Sequence, residues 1–468
     1  MIFTFNRYLQ PAWKFNVLPK SNMASSCYYH PHILPLQEDI ALPTDERFET
    51  ESARHADIGL RAWNRGVLTY ASGGAIDKIR HMPPPSVKDE YTFTYKYSGK
   101  FWATYVLLRR LLAFKNPVDE IRAYANGWKV KQVNRCAEPL QREGYHTFDS
   151  PLLQQAPLVS VIIPTLNRYT YLRNVLLDLE QQDYANFEVI VVDQSEPYDA
   201  LFFTQFKLKL QVVHQKEKLL WTARNNAVKM SKADYLLFFD DDSRVAPDWI
   251  TQHVKTLDYF DADISAGVSL AVIGAKVPEN YSYFRWADQF DSGNALVKRS
   301  VFHQVGLFDL NFNKQSMGDG EFGLRAYQQG MRSISNPYAR RTHLKVSAGG
   351  LREIGHWDGF RPKKWFAPKP IPSVVYLYKK YYPKALCREA IFMGVLLSNV
   401  SYKNKRNSYM LVVSLLLTVV KAPLLLVQYL KARRIALAML QKENTIEPLN
   451  EPGQPLLREQ PYATAVCA

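Results

Sequence analysis

Three consecutive carboxylates, Asp240, Asp241 and Asp242, end a short apolar run that reads YLLFF. Adjacent carboxylates repel one another and raise each other's pKa unless a cation neutralises them. One interpretation is an acidic loop or the N-cap of a helix near Pro247, because Asp is a preferred cap. The other is a divalent cation, Mg²⁺ or Mn²⁺, that carboxylate oxygens hold and share with substrate phosphates. A cap needs one Asp, so three consecutive ones favour the cation.

The segments that must position these carboxylates alternate between strand and helix patterns from Val159 onward. Continuous apolar runs predict buried strands at VSVIIP, FEVIVVD and YLLFF, with a weaker strand at LKLQVVHQ. This order implies right-handed crossovers and a parallel sheet, which binds ligands beyond the carboxyl ends of its strands. Thr165, Asp193 and the three carboxylates all fall at such ends, so the sequence predicts a ligand site there.

Several longer motifs follow one another in a recognisable order. The first are PLVSVIIPTLNRYTYLRNVLLDLEQQDYANFEVIVVDQSEP, ARNNA and LLFFDDDS, and the later ones are SGNALVKRSVFHQVGLFDLNF and MGDGEFGLRAYQQGMR. Over residues 157–350 the chain resembles an inverting glycosyltransferase of family 2. The resemblance implies the GT-A fold, an α/β fold with a Rossmann-like, mixed and mainly parallel sheet flanked by helices. A mixed α/β N-terminal extension and a helical basic C-terminal tail are expected around it.

The resemblance also implies a role for each matching residue. The nucleotide-sugar donor would be bound by Pro164, Thr165, Asn167, Arg168, Asp193, Arg224, Asn225, Asp241, Gly293 and Asn294. Mn²⁺ or Mg²⁺ would be held by the DxD pair Asp240 and Asp242, with His343 as a further ligand. A lone His is more often structural, so His343 keeps both interpretations, and Lys345 is a candidate for a diphosphate contact.

Asp319 matches the catalytic base of the family, in a block that usually reads Glu-Asp. Here Gly318 stands where that Glu would be. Glu321 could substitute for it as a second catalytic carboxylate, or it could simply support the loop. The alternative role for Asp319 is a helix N-cap.

Glycosyl transfer explains why these residue types are needed together. A metal ion stabilises the charge that builds on the departing diphosphate, and a carboxylate accepts the proton of the attacking hydroxyl. In-line attack inverts the anomeric carbon, so one base is sufficient. Aromatic faces suit sugar stacking, which makes Trp221, Trp286 and Gly355–Phe366 candidates, with ordinary packing as the alternative.

A short internal similarity joins the two halves of the chain. Residues 57–66 read DIGLRAWNRG and residues 321–330 read EFGLRAYQQG, and His81 and His343 follow at nearly equal distances. We hypothesise that residues 51–150 form an accessory region that mimics the tail half of a second transferase domain, with His55 in place of Asp319 and hence without activity. Chance similarity of two amphipathic helices is the alternative.

The charge of the chain is concentrated at one end. Lys plus Arg number 59 and Asp plus Glu number 44, a formal balance of +15, and residues 361–442 alone hold sixteen basic residues against one acid. The remaining chain is formally neutral, which argues against a nucleic-acid partner. Tyr409–Leu430 is strongly apolar but interrupted by Lys421 and Pro423, so a helix lying on an anionic membrane is predicted. A buried core helix is the alternative.

These patterns predict an order of segments and a location. An irregular segment at 1–50 precedes the accessory region 51–150, the GT-A domain at 157–360, the membrane-associating tail at 361–442 and a disordered end at 443–468. Four separated cysteines and the lack of a signal-peptide pattern favour a cytoplasmic protein on the inner face of a membrane.

The predicted function is metal-dependent, inverting transfer of a sugar from a nucleotide-diphosphate sugar to a hydroxyl of a glycan or lipid-linked acceptor. Its context would be the synthesis of a cell-surface polysaccharide or glycolipid. A catalytically inactive, membrane-anchored binding or scaffold protein with a transferase fold is the alternative. A nucleotidyltransferase is a third option, but the first βα turn lacks a phosphate loop rich in Gly and basic residues.

Overall fold

The computed structural model describes residues 2–19, 29–33, 42–71, 73–271, 274–346, 351, 360, 364–399 and 407–450. The strands are β1 (Val159–Thr165), β2 (Phe187–Asp193), β3 (Leu210–His214), β4 (Tyr235–Phe239), β5 (Ser243–Val245), β6 (Ile264–Leu270), β7 (Arg285–Trp286), β8 (Asn294–Lys298) and β9 (Ser333–His343). The helices before the sheet are α1 (Asn6–Leu9), α2 (Glu51–Asn64), α3 (Gly73–His81), α4 (Val87–Ser98), α5 (Lys100–Leu112), α6 (Pro117–Gly127), α7 (Gly144–Thr147) and α8 (Pro151–Gln155). The later helices are α9 (Tyr169–Glu180), α10 (Leu220–Met230), α11 (Trp249–Tyr259), α12 (Arg299–Val305), α13 (Gly318–Gln328), α14 (Pro372–Tyr381), α15 (Lys384–Ser398), α16 (Ser408–Val420) and α17 (Ala422–Leu440).

The strands form one mixed sheet in the order β3-β2-β1-β4-β8-β6-β9-β5, with β7 paired to β9. Strands β3, β2, β1 and β4 are parallel, and β8 runs antiparallel to β4 and β6. Every residue of β1 is buried, as its continuous apolar run predicts for a strand covered on both faces. The predicted α/β fold with a sheet flanked by helices is therefore confirmed.

The strand register brings the predicted site residues to one edge. Thr165 is the register partner of Asp193, and Phe239, which precedes Asp240, is the partner of Asn294. Because side chains that end adjacent strands share an edge, the loops after β1, β2 and β4 face the loop that leads into β8.

A register shift between β6 and β9 lies beside this edge, between Gly267 and Val268. A Cβ at Gly267 would come within 2.4 Å of both the Ala339 carbonyl oxygen and the Asn294 amide nitrogen. Only glycine therefore allows the backbone of β9 and the side chain of Asn294 to approach so closely.

The region before the sheet differs from the expectation of a mixed α/β extension. Among its described residues, 51–150 form helices α2–α7 and no strand of two or more residues. The aromatic residues of α4 pack inside this helical layer, and Tyr29 stacks on Trp286 of β7 at 4.1 Å between ring centroids. The N-terminal region is thus a helical layer packed against the sheet domain.

The hypothesis of a second half-domain is not supported by this helical layer. Helix α13 is followed by the strand β9, whereas the matching helix α2 is followed by another helix, α3. His55 lies beside Glu51 on the surface, and His81 ends α3. The similarity of the two segments therefore ends after one amphipathic helix, because the element that follows is a strand of the sheet in one segment and a helix in the other.

The basic tail divides into a packed part and an exposed part. Residues 372–378 of α14 are buried, and α14 is tied to the sheet domain by hydrogen bonds from Tyr376 and Lys380 to Asp309 at 2.6 and 2.9 Å. Within the described residues, no single helix is long and apolar enough to cross a membrane. The pair Tyr409–Val420 and Ala422–Leu440 meets that criterion jointly, with a bend of 79° between its two members.

Candidate active site

The first carboxylate of the cluster is held by two arginines from distant elements. Asp240 Oδ1 accepts a hydrogen bond from Arg224 of α10 at 2.9 Å, and Oδ2 accepts one from Arg341 of β9 at 2.7 Å. Both guanidinium groups are buried. The strong ion pairs keep Asp240 oriented at the end of β4 although its own surroundings are partly open.

Asp241 points to the other side of the strand end and is buried. It accepts hydrogen bonds from the Thr165 hydroxyl at 2.8 Å and from Arg168 at 2.9 Å. Burial raises its pKa to about 6; Asp242 adds to the rise, and Arg168 and Thr165 oppose it. Asp241 thus joins the loop after β1 to the loop after β4.

Asp242 lies beside His343, the last residue of β9, with 3.1 Å between Oδ1 and Nε2. Burial opposes its ionisation, but its hydrogen bond to His343 and the charges of His343 and Arg168 lower its pKa below the usual range. One ligand atom each from Asp240, Asp242 and His343 lies within 4.8 Å of the other two. The predicted metal ligands are therefore brought together, and the arrangement could hold one cation.

Arg341, Asp291 and Ser292 belong to the site although sequence reasoning missed them. Arg341 also binds Asp291, at 2.8 and 3.1 Å, and Asp291 accepts a hydrogen bond from the Gly293 amide at 3.0 Å. A Cβ at Gly293 would lie 2.2 Å from both Arg341 and Asp240, so the ion pair itself requires glycine there. Arg341 precedes His343 by two residues on one strand, and this period-two spacing was the available signal.

The loops after β1 and β2 are fastened to each other. Asn167, whose φ is +53°, donates its amide to the Ser195 hydroxyl at 2.7 Å and accepts from the Glu196 amide at 2.9 Å. Asp193 accepts hydrogen bonds from the Tyr169 hydroxyl at 2.6 Å and the Ser195 amide at 2.9 Å. With Pro164 and Thr165 at the end of β1, these residues form the wall predicted to bind the nucleotide.

Asp319 lies in the first turn of α13 and is held by the loop that precedes β8. It accepts hydrogen bonds from the Ser292 amide at 3.0 Å and from the Ser292 hydroxyl. The Ser292 carbonyl in turn accepts from Arg224 at 2.8 Å, the same arginine that binds Asp240. The candidate base and the candidate metal ligand are thus joined through one serine and one arginine.

The departure from the usual Glu-Asp pair has a packing reason. A Cβ at Gly318 would lie 2.3 Å from the Trp221 ring, so that ring occupies the space of a side chain at position 318. Trp221 is buried and donates its indole N–H to the Phe312 carbonyl at 3.0 Å. It is therefore a packing residue rather than a stacking platform for a sugar.

Glu321 takes the second of its two predicted roles. It is buried and receives hydrogen bonds from Arg325 at 2.9 and 3.0 Å and from the Tyr381 hydroxyl. Arg325 also donates to the carbonyls of residues 305–307. The expectation of a catalytic carboxylate at Glu321 is corrected, because this ion pair braces α13.

Two of the predicted donor-binding residues also belong to the framework. Asn225 accepts from the Phe308 amide and donates to its carbonyl, both at 2.9 Å. Asn294 accepts from the Trp249 indole at 2.8 Å and donates to the Ala339 carbonyl at 3.0 Å. Because both amides are buried and their oxygen and nitrogen atoms are engaged by protein partners, Asn225 is not placed to contact the nucleotide and Asn294 is not placed to contact the sugar.

The remaining candidates fall into three groups. Trp286 is buried against Tyr29 and donates to the Thr69 carbonyl at 3.2 Å, so it packs rather than binds a ligand. Lys345 follows Leu344, whose amide donates to the Asp242 carbonyl at 2.9 Å, which places its backbone at the site. Most of Gly355–Phe366 lies outside the described residues.

The sequence comparisons agree with this geometry. Residues 160–314 match the family model described as Glycosyl transferase family 2. The PGL/p-HBAD biosynthesis glycosyltransferase of Mycobacterium tuberculosis is 25% identical over 281 residues, covering 54% of this chain and 99% of the relative. EpsH of Bacillus subtilis is 27% identical over 214 residues, covering 41% of this chain and 62% of EpsH.

Two of the similar solved structures hold a nucleotide sugar. S. aureus TarS 1–349 in complex with UDP-GlcNAc is 19% identical, covers 60% of this chain and 81% of its own, and has a TM-score of 0.40. The mannosyltransferase PcManGT from Pyrobaculum calidifontis, with GDP-Man and Mn²⁺, is 19% identical, covers 64% and 93%, and has a TM-score of 0.38. The family match spans β1 to β8 and contains the carboxylate cluster, so this part of the chain is a domain of glycosyltransferase family 2.

Proposed function

We propose that this glycosyltransferase moves a sugar from a nucleotide-diphosphate sugar to an acceptor hydroxyl with inversion, with the help of a divalent cation. The observation that carries the proposal is the convergence of Asp240, Asp242 and His343 within 4.8 Å, beside the Asp319 that Ser292 holds. A cation-binding group and a candidate base are needed on two sides of one reacting bond. The ends of β4 and β9 supply the first, and the first turn of α13 supplies the second.

The donor set fits Mn²⁺ or Mg²⁺. Two carboxylates offer hard oxygen ligands, and an imidazole is better tolerated by Mn²⁺ than by Mg²⁺, so we favour Mn²⁺. When bound by Asp240, Asp242 and His343, the cation would supply Lewis-acid stabilisation of the departing diphosphate. Arg168 adds fixed positive charge beside Asp242, and Arg341 adds it beside Asp240.

Residues of the chain itself accept the proton of the acceptor hydroxyl and orient the carboxylate that takes it. The acceptor oxygen forms the new bond to the anomeric carbon as the bond to the diphosphate oxygen breaks, and the electron pair leaves with the nucleoside diphosphate. The hydroxyl proton passes to Asp319. Ser292 holds one carboxylate oxygen of Asp319 in place with two donors, which orients the group before the acceptor arrives.

A donor screen with Mn²⁺ tests the reaction. We expect transfer or slow hydrolysis of one nucleotide-diphosphate sugar, lost on chelation and in Asp242→Asn. Manganese binding, measured by electron paramagnetic resonance, should weaken at least tenfold in the same variant. Asp261→Asn is the matched control, because Asp261 is an exposed carboxylate in an ion pair with Arg332.

Two results would contradict this proposal. Full turnover in the presence of a chelator would remove the metal requirement. Nucleotide binding without any turnover, across all common donors, would favour the binding-protein alternative.

We further propose that the enzyme works on the inner, cytoplasmic face of a membrane, on a glycan or lipid-linked acceptor of a surface polysaccharide or glycolipid. The exposed apolar side chains of α16, among them Leu416, Val419 and Val420, support membrane contact, as do the exposed Lys431, Arg433 and Arg434 of α17. Recovery of the intact protein wholly in the soluble fraction at low salt would contradict it.

A further inference from the structure

We propose that the hairpin of α5 and α6 is a second membrane-contacting surface, which docks on anionic lipid beside the C-terminal helices. This inference rests on the membrane association proposed above. It concerns the N-terminal helical layer, to which no function has been assigned so far. Five exposed side chains at the tip and on the outer face of the hairpin form what we call the hairpin patch: Leu108, Leu112, Phe114, Val118 and Ile121.

The hairpin patch is unusually exposed for side chains of its type. Phe114 is 96% exposed and Leu112 is 76% exposed, and all five members are apolar. Contiguous exposed apolar side chains on a folded protein mark an interaction site. Phe114 also has a φ of +54°, a conformation that residues with large side chains rarely adopt. The backbone conformation of the turn therefore fixes the exposed position of this side chain.

The hairpin behind the patch is firmly packed. Arg110 of α5 forms an ion pair with the buried Glu120 of α6, at 2.8 Å from Nε, and Glu120 also accepts from Tyr91 of α4 at 2.8 Å. The Thr104 and Tyr124 hydroxyls are 2.8 Å apart across the two helices. The polar groups on the inner face of the hairpin are thus hydrogen-bonded. The packed helices hold the apolar side chains of the outer face in position.

The hairpin patch adjoins the proposed membrane-binding tail through α15. Arg109 binds Glu389 at 2.6 Å, and its guanidinium lies 4.6 Å from the ring centroid of Phe392, which is itself partly exposed. Two turns further along, at the C-cap of α15, Asn399 donates a hydrogen bond to Thr418 of α16 at 2.7 Å. The hairpin is therefore linked to α16 through α15.

Charge identifies the partner as an anionic bilayer. The exposed charged residues of 100–131 are Lys100, Lys115, Arg122, Lys129 and Lys131 against Asp119. Asp119 accepts from the helix-capping Asn116 at 2.7 Å. An apolar tip flanked by basic residues is the pattern of insertion at the headgroup level, with the basic groups facing lipid phosphates. Contact with the membrane through both the hairpin patch and the C-terminal helices would also fix the orientation of the sheet domain toward a lipid-linked acceptor.

Vesicle sedimentation of the full chain tests the inference. Vesicles of phosphatidylcholine and phosphatidylglycerol at about 7:3 are mixed with wild type, with Leu112→Ser/Phe114→Ser, and with Val419→Ser/Val420→Ser. Leu201→Ser is the matched control, because Leu201 is 77% exposed but lies in the sheet domain. We expect the hairpin variant to bind at least about tenfold more weakly than wild type, with the control unchanged.

A second measurement locates the tip. Phe114→Trp should show fluorescence quenching by brominated lipid beyond the quenching of wild type. Binding of the hairpin variant equal to wild type, while the tail variant binds weakly, would overturn the inference and leave the proposed tail association standing. A wild type that does not bind would overturn both. A dimer in solution that the hairpin variant abolishes, without an effect on vesicle binding, would overturn the inference in favour of self-association.

Discussion

The roles of the two carboxylates on α13 can be separated by one pair of substitutions. Glu321→Gln removes the charge that compensates Arg325, whose side chain is 2% exposed. The guanidinium would then face the carbonyls of residues 305–307 and a neutral amide in place of a carboxylate. Removing one partner of a buried ion pair costs about 3–5 kcal/mol. For a cooperative unit of about 200 residues, such a loss lowers Tm by roughly 6–20 °C.

Asp319→Asn should have the opposite profile. Its carboxylate accepts hydrogen bonds from Ser292 at the edge of the site and is less deeply buried than that of Glu321, so we expect Tm to change by only a few degrees. If Asp319 is the base, kcat should fall by about 10²–10⁴ with a small change in the KM for the donor.

The assay measures Tm by thermal unfolding and kcat per folded molecule, with initial rates well below the Tm of each variant. Glu321→Gln should keep kcat within about threefold of wild type. The double variant Glu321→Met/Arg325→Met is the control, because replacing both charges with apolar groups is often close to neutral. An unchanged Tm in Glu321→Gln together with a loss of kcat as large as in Asp319→Asn would refute the structural role.

Three further substitutions have defined outcomes. Gly318→Ala should lower the free energy of unfolding by about 1–3 kcal/mol, because its Cβ would meet the Trp221 ring at 2.3 Å; denaturant unfolding measures this, and an unchanged midpoint would contradict the packing argument. Asn294→Ala should lower stability by roughly 2–4 kcal/mol, since it leaves two buried donors without an acceptor, and a raised KM for the donor without a stability loss would restore its predicted sugar contact. Asp241 takes up a proton on folding between about pH 4 and 6, because its folded pKa of about 6 exceeds the unfolded 3.8, so its contribution to stability falls as pH rises through that window. The Tm of Asp241→Asn relative to wild type should therefore be higher at pH 8 than at pH 4, and an equal difference at both pH values would count against the raised pKa.

The strand ends could be predicted because the signals are local. The mainly apolar run VSVIIP in β1 and the five apolar residues of β4 mark buried strands, and the polar residue after each run marks its end. Parallel strands align their carboxyl ends, so Thr165, Asp193 and Asp240 had to meet. Motif order then linked His343 to the same place, 101 residues after Asp242.

The framework residues could not be recognised in the same way. Asn225 lies in a motif, but its partner is the backbone of Phe308, 83 residues away. Glu321 lies two residues from the candidate base, yet its carboxylate forms an ion pair with Arg325. A polar side chain that binds a ligand and one that satisfies a buried backbone group have the same sequence signal.

At both ends of the chain, some features could be predicted from the sequence and others could not. Composition alone located the basic charge and the apolar segment at the C-terminus, and the break at Lys421 became a bend between two helices. The packing of α14 under the sheet domain, and the exposed hairpin patch beside α15, could not be inferred from composition.

The sequence by itself determined the chemistry that is available: which carboxylates end which strands, and where the chain is basic. Those properties depend on periodicity and residue type, which act over a few neighbouring residues. Only the tertiary structure decided which polar groups remain for a ligand, because that depends on partners 80 to 100 residues away. Arg341 orients Asp240, Trp221 fills the space beside Gly318 and the Phe308 backbone engages Asn225 only once the chain is folded.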